Sequence, residues 1–180
     1  MSTLNEDSSM TTTKSRVWDL PVRLFHWALA GAFTAAYLLS ESERQRQVHS
    51  ILGYTVLGLV AFRLLWGFVG TRWSRFSSFL YSPRSALGYV RDLLRGRAAD
   101  YTGHNPAGSY AIWAILGLAV ATSVTGWMNL NEIGGEAIED IHELFANSWL
   151  VVVGLHIAGV IASSIAHRQN LARSMITGYK

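Results

Sequence analysis

The chain contains no cysteine. This rules out disulfides, thiolate-bound zinc, cysteine-ligated iron–sulfur clusters and the C-x-x-C-H motif that attaches haem covalently. Any haem would have to be held without thioether bonds. Charge is scarce as well: 15% of the 180 residues are Asp, Glu, Lys or Arg, against about 25% in ordinary soluble domains. Half the residues are hydrophobic and the mean hydropathy is +0.21. That balance belongs to the membrane class.

Four apolar runs decide it, at about 20–40, 49–70, 107–130 and 142–166. Each approaches or exceeds the ~20 residues that an α-helix needs to cross a bilayer. None shows the polar residue at every third or fourth position that a helix of a soluble bundle would carry. The first run is too long for a signal-peptide core and is followed by further spans, so it reads as a retained helix. Residues 1–16 are Ser/Thr-rich at their start and read as a disordered cytoplasmic tail. Residues 17–180 read as one all-α, four-helix transmembrane domain, with no internal repeat.

Charge placement gives the orientation. With four spans, both termini and the loop between spans two and three share one side. Every Lys and Arg except Arg44 and Arg46 falls there, whereas Glu41, Glu43, Glu132, Glu136, Glu139, Asp140 and Glu143 fall on the other. The positive-inside rule therefore puts both termini in the cytoplasm. The net charge of +3 reflects this asymmetry and not a nucleic-acid surface. In the long inner loop, Ser82-Pro83 is a helix start. Leu87, Val90, Leu93 and Leu94 then recur opposite Arg84, Arg91 and Arg95, which predicts an amphipathic helix over 83–95 along the inner membrane surface. The tryptophans cluster near span ends as an interfacial belt.

The histidines carry the chemistry. His142 and His156 are fourteen residues apart on one helix, which leaves them about 40° apart on the same face and about 21 Å apart along the axis. An ionisable side chain inside an uncharged membrane stretch is a functional-site hypothesis by default. Topology gives each a counterpart: His49 opens span two at the level of His142, and His26 lies near the cytoplasmic end of span one at the level of His156. Imidazole suits iron, and helical bundles build cofactor sites from facing helices. The pattern therefore predicts two bis-histidine haems between the helices. Read singly, His49 and His142 are ordinary interfacial histidines, and only the pairing raises them. Arg63 lies fourteen residues after His49 on the same face, and Arg23 lies one turn before His26. Both are candidates for haem propionates, since Arg pairs carboxylates in bidentate fashion, with snorkelling to headgroups as the plain alternative. His104 and His167 stay outside the ligand set. His104 and the arginine-rich inner loop are candidate quinone contacts.

The segment Val17-Trp18-Asp19-Leu20-Pro21-Val22-Arg23-Leu24-Phe25-His26-Trp27 resembles the opening of the bacterial cytochrome b561 family, which includes the b-type cytochrome subunits of nickel–iron hydrogenases. His49 with Gly53-Tyr54, then Phe62-Arg63-Leu64-Leu65-Trp66-Gly67-Phe68-Val69-Gly70, is similar to that family's second helix. Gly103-His104-Asn105-Pro106-Ala107-Gly108, Thr125-Gly126-Trp127, and Glu143 to His156 with Gly159 continue the likeness. The resemblance implies four transmembrane helices and two non-covalent haem b groups ligated by His26, His49, His142 and His156. It also implies electron transfer between a redox partner and the membrane quinone pool. Partners in the family include hydrogenase, formate dehydrogenase-like enzymes, c-type cytochromes and superoxide. Short outer loops and no long C-terminal extension favour a general electron carrier of the inner membrane over a dedicated hydrogenase anchor, and a superoxide:quinone oxidoreductase is a further alternative. A histidine-dependent proton channel or transporter would not need matched pairs at two depths. A zinc hydrolase would need three ligands around an open metal, for which Glu143 beside His142 is the sole hint.

Overall fold

A computed structural model describes residues 15–40 and 43–180. The predicted tail at 1–14 lies outside the described residues, as does Glu41. The described residues form six α-helices: α1 (Leu20–Leu38), α2 (Arg46–Val69), α3 (Pro83–Leu94), α4 (Pro106–Leu130), α5 (Gly135–Ala166) and α6 (Leu171–Thr177). Short 3-10 turns sit at Glu43–Gln45 and Phe76–Phe79. No named strand occurs among these residues.

Three of the four expected spans are long and apolar enough to cross a membrane: α2, α4 and α5. The first, α1, is a 19-residue helix that falls short of that criterion, because Pro21, Arg23 and His26 dilute its apolar character. The fourth starts earlier than the predicted residue 142. Gly134, at φ 87°, caps a helix of 32 residues, about 48 Å long. A hydrocarbon layer is about 30 Å thick, so the acidic first turns with Glu136, Glu139, Asp140 and Glu143 can stand outside it. His142 thus lies two turns inside α5 and is not its first residue.

Caps explain several of the boundaries. Asp19, Ser82, Asn105 and Asn170 each accept a backbone N–H from the first turn of α1, α3, α4 and α6, and a Pro stands in the first turn of the first three. In the packing order α1 lies on α2, α2 on α4, and α4 closely on α5. Side chains join α1 to α5: Phe33 and Trp149 meet at 4.3 Å between ring centres, and Tyr37 donates to Asn147 at 3.0 Å. The core runs through Phe33, Val56, Val60, Phe79, Leu116, Ala119 and Trp149. Outward-facing residues are just as apolar, with Leu65, Phe68, Leu155 and Ile165 66–74% exposed. Such a surface suits lipid and not water. On α3, Tyr89 turns inward while Leu87 and Leu94 face out, as the amphipathic pattern requires.

The C-terminal segment was not anticipated. After α6, Tyr179 pairs with Arg16 in an antiparallel bridge, and Ser15 and Lys180 exchange backbone hydrogen bonds. Ser15 and Arg16, the described end of the predicted tail, are therefore held against residues 178–180.

Candidate functional site

At one end of the long helices, α1 ends while α2 begins. His49, in the first turn of α2, has Nδ1 2.9 Å from the Ala36 carbonyl. That carbonyl belongs to the last turn of α1, where helical acceptors lack intrahelical donors. Across from it, His142 on α5 has Nδ1 3.0 Å from the Thr122 carbonyl of α4. Gly126, four residues on, leaves this carbonyl uncovered. A carbonyl only accepts, so both Nδ1 atoms carry the proton and both Nε2 atoms keep a free lone pair. This is the state in which imidazole binds a metal, oriented by a second hydrogen bond.

The two rings are 6.2 Å apart between centres and nearly perpendicular, at 83°. Two metal–nitrogen bonds of about 2 Å each, added to the ring radii, give a similar separation. Around them α1, α2, α4 and α5 enclose a cavity of about 760 Å³, within the range of about 300–1,000 Å³ typical of cofactor sites. Its lining includes Phe33, Gly53, Val56, Gly126 and Trp149. Donor set, tautomer, spacing and space all fit a bis-imidazole haem. Among the described residues no three His, Asp or Glu side chains cluster as a metal site would require. The zinc-hydrolase reading therefore has no ligand set there, whereas a haem asks for two histidines.

The second cluster lies toward the other end. His26 on α1 has its Nδ1 sealed from solvent and without a partner, and it lies within electrostatic range of His156 on α5. Arg63 on α2 is 3% exposed, stacks on Phe76 at 4.9 Å and leaves Nη1 buried without an acceptor. Arg23 turns elsewhere: its Nη2 donates to the Ile176 carbonyl at the end of α6, while its Nε stays buried and unpartnered. It ties down the C-terminal segment, a role its spacing from His26 did not suggest. His167 meets the Tyr89 hydroxyl at 3.4 Å, away from both clusters.

His104 was underrated by its setting of Gly103, Asn105 and Pro106, which reads as an open loop. In the fold its ring lies between Trp18 at 4.6 Å and Phe79 at 4.5 Å. Burial, reinforced by the charges of Arg63 and His156, pushes its pKa down to about 3, so the ring is neutral at ordinary pH. The signal that could have found it is the aromatic content of distant segments, not its neighbours.

Asp19 is the other residue that spacing alone could not assign. Its Oδ1 accepts from the Val22 amide at 2.9 Å, and Oδ2 accepts from Trp66 at 3.1 Å, Thr71 at 2.6 Å and Ser74 at 2.6 Å. One carboxylate thus caps α1 and ties it to the end of α2. Burial alone would raise its pKa, but the hydrogen bonds from Ser74, Thr71, Val22 and Trp66 together hold it below the usual 3.8.

A probable Ni/Fe-hydrogenase B-type cytochrome subunit from Rhodobacter capsulatus is 23% identical, the alignment covering 97% of this chain and 84% of the relative. A protein of the same description from Rhizobium leguminosarum bv. viciae is 26% identical over 90% of this chain and 87% of its own length. No solved structure matches the chain. The family model described as prokaryotic cytochrome b561 matches residues 17–178, nearly the whole sequence, and the chain belongs to that family.

Proposed function

We propose that the protein is a diheme b-type cytochrome that carries electrons across the inner membrane between a redox partner and the quinone pool. Family membership makes it an electron-transport protein of the haem b type; the number of haems, their ligands and the partners are our reading. The observation that carries it is the upper pair, His49 and His142, whose Nδ1 atoms are engaged by carbonyls on two other helices and whose rings stand 6.2 Å apart. His26 and His156 form the second pair, about 21 Å along α5 from the first. Arg63, with Arg23 through its unpartnered Nε, serves the propionates of the group held by His26 and His156.

Haem supplies a one-electron couple that the polypeptide lacks. The chain supplies the rest. Four helices hold the two histidine pairs at fixed separation, the carbonyl contacts of His49 and His142 set the basicity of those two imidazoles, and the apolar walls exclude water. His49 with His142, and His26 with His156, would hold the two groups, and two imidazoles per group would leave no site for oxygen chemistry, which favours electron transfer. The charge asymmetry supports both termini in the cytoplasm. Quinone is assigned to the membrane surface beside the arginine-rich inner loop.

A second reading follows from the relatives, which are named as hydrogenase subunits. The redox partner would then be a membrane-associated hydrogenase in place of a c-type cytochrome.

Haem extraction as the pyridine complex should give two haem b per purified chain. His142→Ala and His156→Ala should each retain one, and the survivors should differ in midpoint potential. One haem or none in the unaltered protein would overturn the reading.

A further inference from the structure

Among the described residues, Arg63 and His104 each have a buried polar nitrogen without a partner. Nη1 of Arg63 and Nδ1 of His104 are both sealed from solvent and unpartnered. They belong to one aromatic wall. Arg63 rests on Phe76, Phe76 meets Phe79 at 5.9 Å, and Phe79 meets His104 at 4.5 Å. His104 is within electrostatic reach of Arg63 and of His156.

An anion stands close by and is not used. Asp19 lies in the field of Arg63, yet among the described residues the one ion pair is Lys180–Asp100. Asp19 already accepts from Val22, Trp66, Thr71 and Ser74, so its lone pairs are largely committed. A buried guanidinium with no counter-ion is costly, and buried donors without acceptors are rare in folded proteins. Two such nitrogens on one wall point to an acceptor beyond the described residues. A haem held by His26 and His156 would offer its propionates as the anionic atoms there.

We propose that Arg63 Nη1 and His104 Nδ1–H form a two-donor carboxylate site that holds one propionate of the haem ligated by His26 and His156. This rests on the diheme reading and gives His104 a positioning role in place of a quinone contact. Trp18 and Phe79 fix the plane of the imidazole, so its donor has one direction to point. Arg63 contributes the fixed charge. A cation at a propionate favours the reduced haem, which carries one more negative charge, and so raises its potential.

The holoprotein tests this without any turnover assay. In Arg63→Gln the midpoint potential of one haem should fall while the other holds. Arg63→Lys, which keeps the charge, should restore most of the potential. In His104→Ala the propionate bending band in resonance Raman should shift, and His104→Gln, which keeps a donor, should return it toward its original position. Should Arg63→Gln fail to fold, Arg63→Lys and the two His104 variants decide the matter by that band. Fewer than two haems in the unaltered protein would remove the diheme reading and this site together. Two haems with potentials and propionate band unmoved in all variants would overturn the site alone. Loss of quinone reduction in His104→Ala with an unmoved band would also overturn it and return His104 to the quinone.

Discussion

A Cβ added at Gly126 would stand 2.9 Å from Cε1 and 3.2 Å from Nδ1 of His142. The imidazole would have to swing away from the Thr122 carbonyl that fixes its tautomer. Overpacking of this kind costs about 1–3 kcal/mol in a tight core, but the functional loss should exceed the structural one. Gly126→Ala is expected to keep the helices, to lose or weaken the haem of the His49–His142 pair, and to leave the other. Circular dichroism with haem quantitation checks both halves of that statement. The importance of this glycine was not legible in sequence, where membrane helices carry glycine for many reasons. Its meaning depends on a ring from α5, sixteen residues away. His104 was obscured in the same manner: the residues that bury it, Trp18 and Phe79, come from other parts of the chain. The levels of His142 and His156 were legible because helical periodicity fixes them along one helix.

The α1–α2 junction depends on one carboxylate. Replacing Asp19 by Ala removes the cap of α1 and strands the Trp66, Thr71 and Ser74 donors, a loss on the order of 3 kcal/mol. Because the folded pKa of Asp19 lies below 3.8, its contribution is complete above that value and disappears as pH falls through the lower folded one. The melting temperature in detergent should hold from neutral pH to about that point and then drop. In Asp19→Asn it should start lower and respond less to acid. The long elements were well marked by uninterrupted apolar runs, with boundaries within a few residues for α2 and α4, and α3 by its Ser-Pro start and amphipathic pattern. The start of α5 was hidden by Gly134, Gly135 and the acidic residues after them, which read as a loop. With seven residues, α6 is too short for periodicity to register, and its place comes from tertiary partners: Trp18 donates to Ser174 at 3.2 Å and Trp27 to the Met175 carbonyl at 3.4 Å.

Orientation belongs to the molecule as a unit, because it depends on the sum of charges on each side. The absence of cysteine makes it directly measurable, since a single introduced thiol would be the sole target of a labelling reagent. Arg97 and Glu136 are both exposed and lie on opposite sides in the proposed topology. In intact cells an impermeant maleimide should label Glu136→Cys from the outside and reach Arg97→Cys only after lysis. The reverse pattern would invert the protein. Charge asymmetry was legible from sequence in full, as it needs only the order of the spans. The space around His49 and His142 was not, because the cavity is shared by four helices and belongs to none of them.

The paired ends have a topological consequence. Ser15 with Lys180, Arg16 with Tyr179, and Val17 and Trp18 with Gly178 form a short seam, where Gly178 turns at φ 88° with little room for a side chain. From Ser15 to Lys180 the backbone closes on itself through these hydrogen bonds. A covalent link across that seam would leave the six helices in place. New ends could then be opened at the exposed turn of residues 131–134 without cutting a helix.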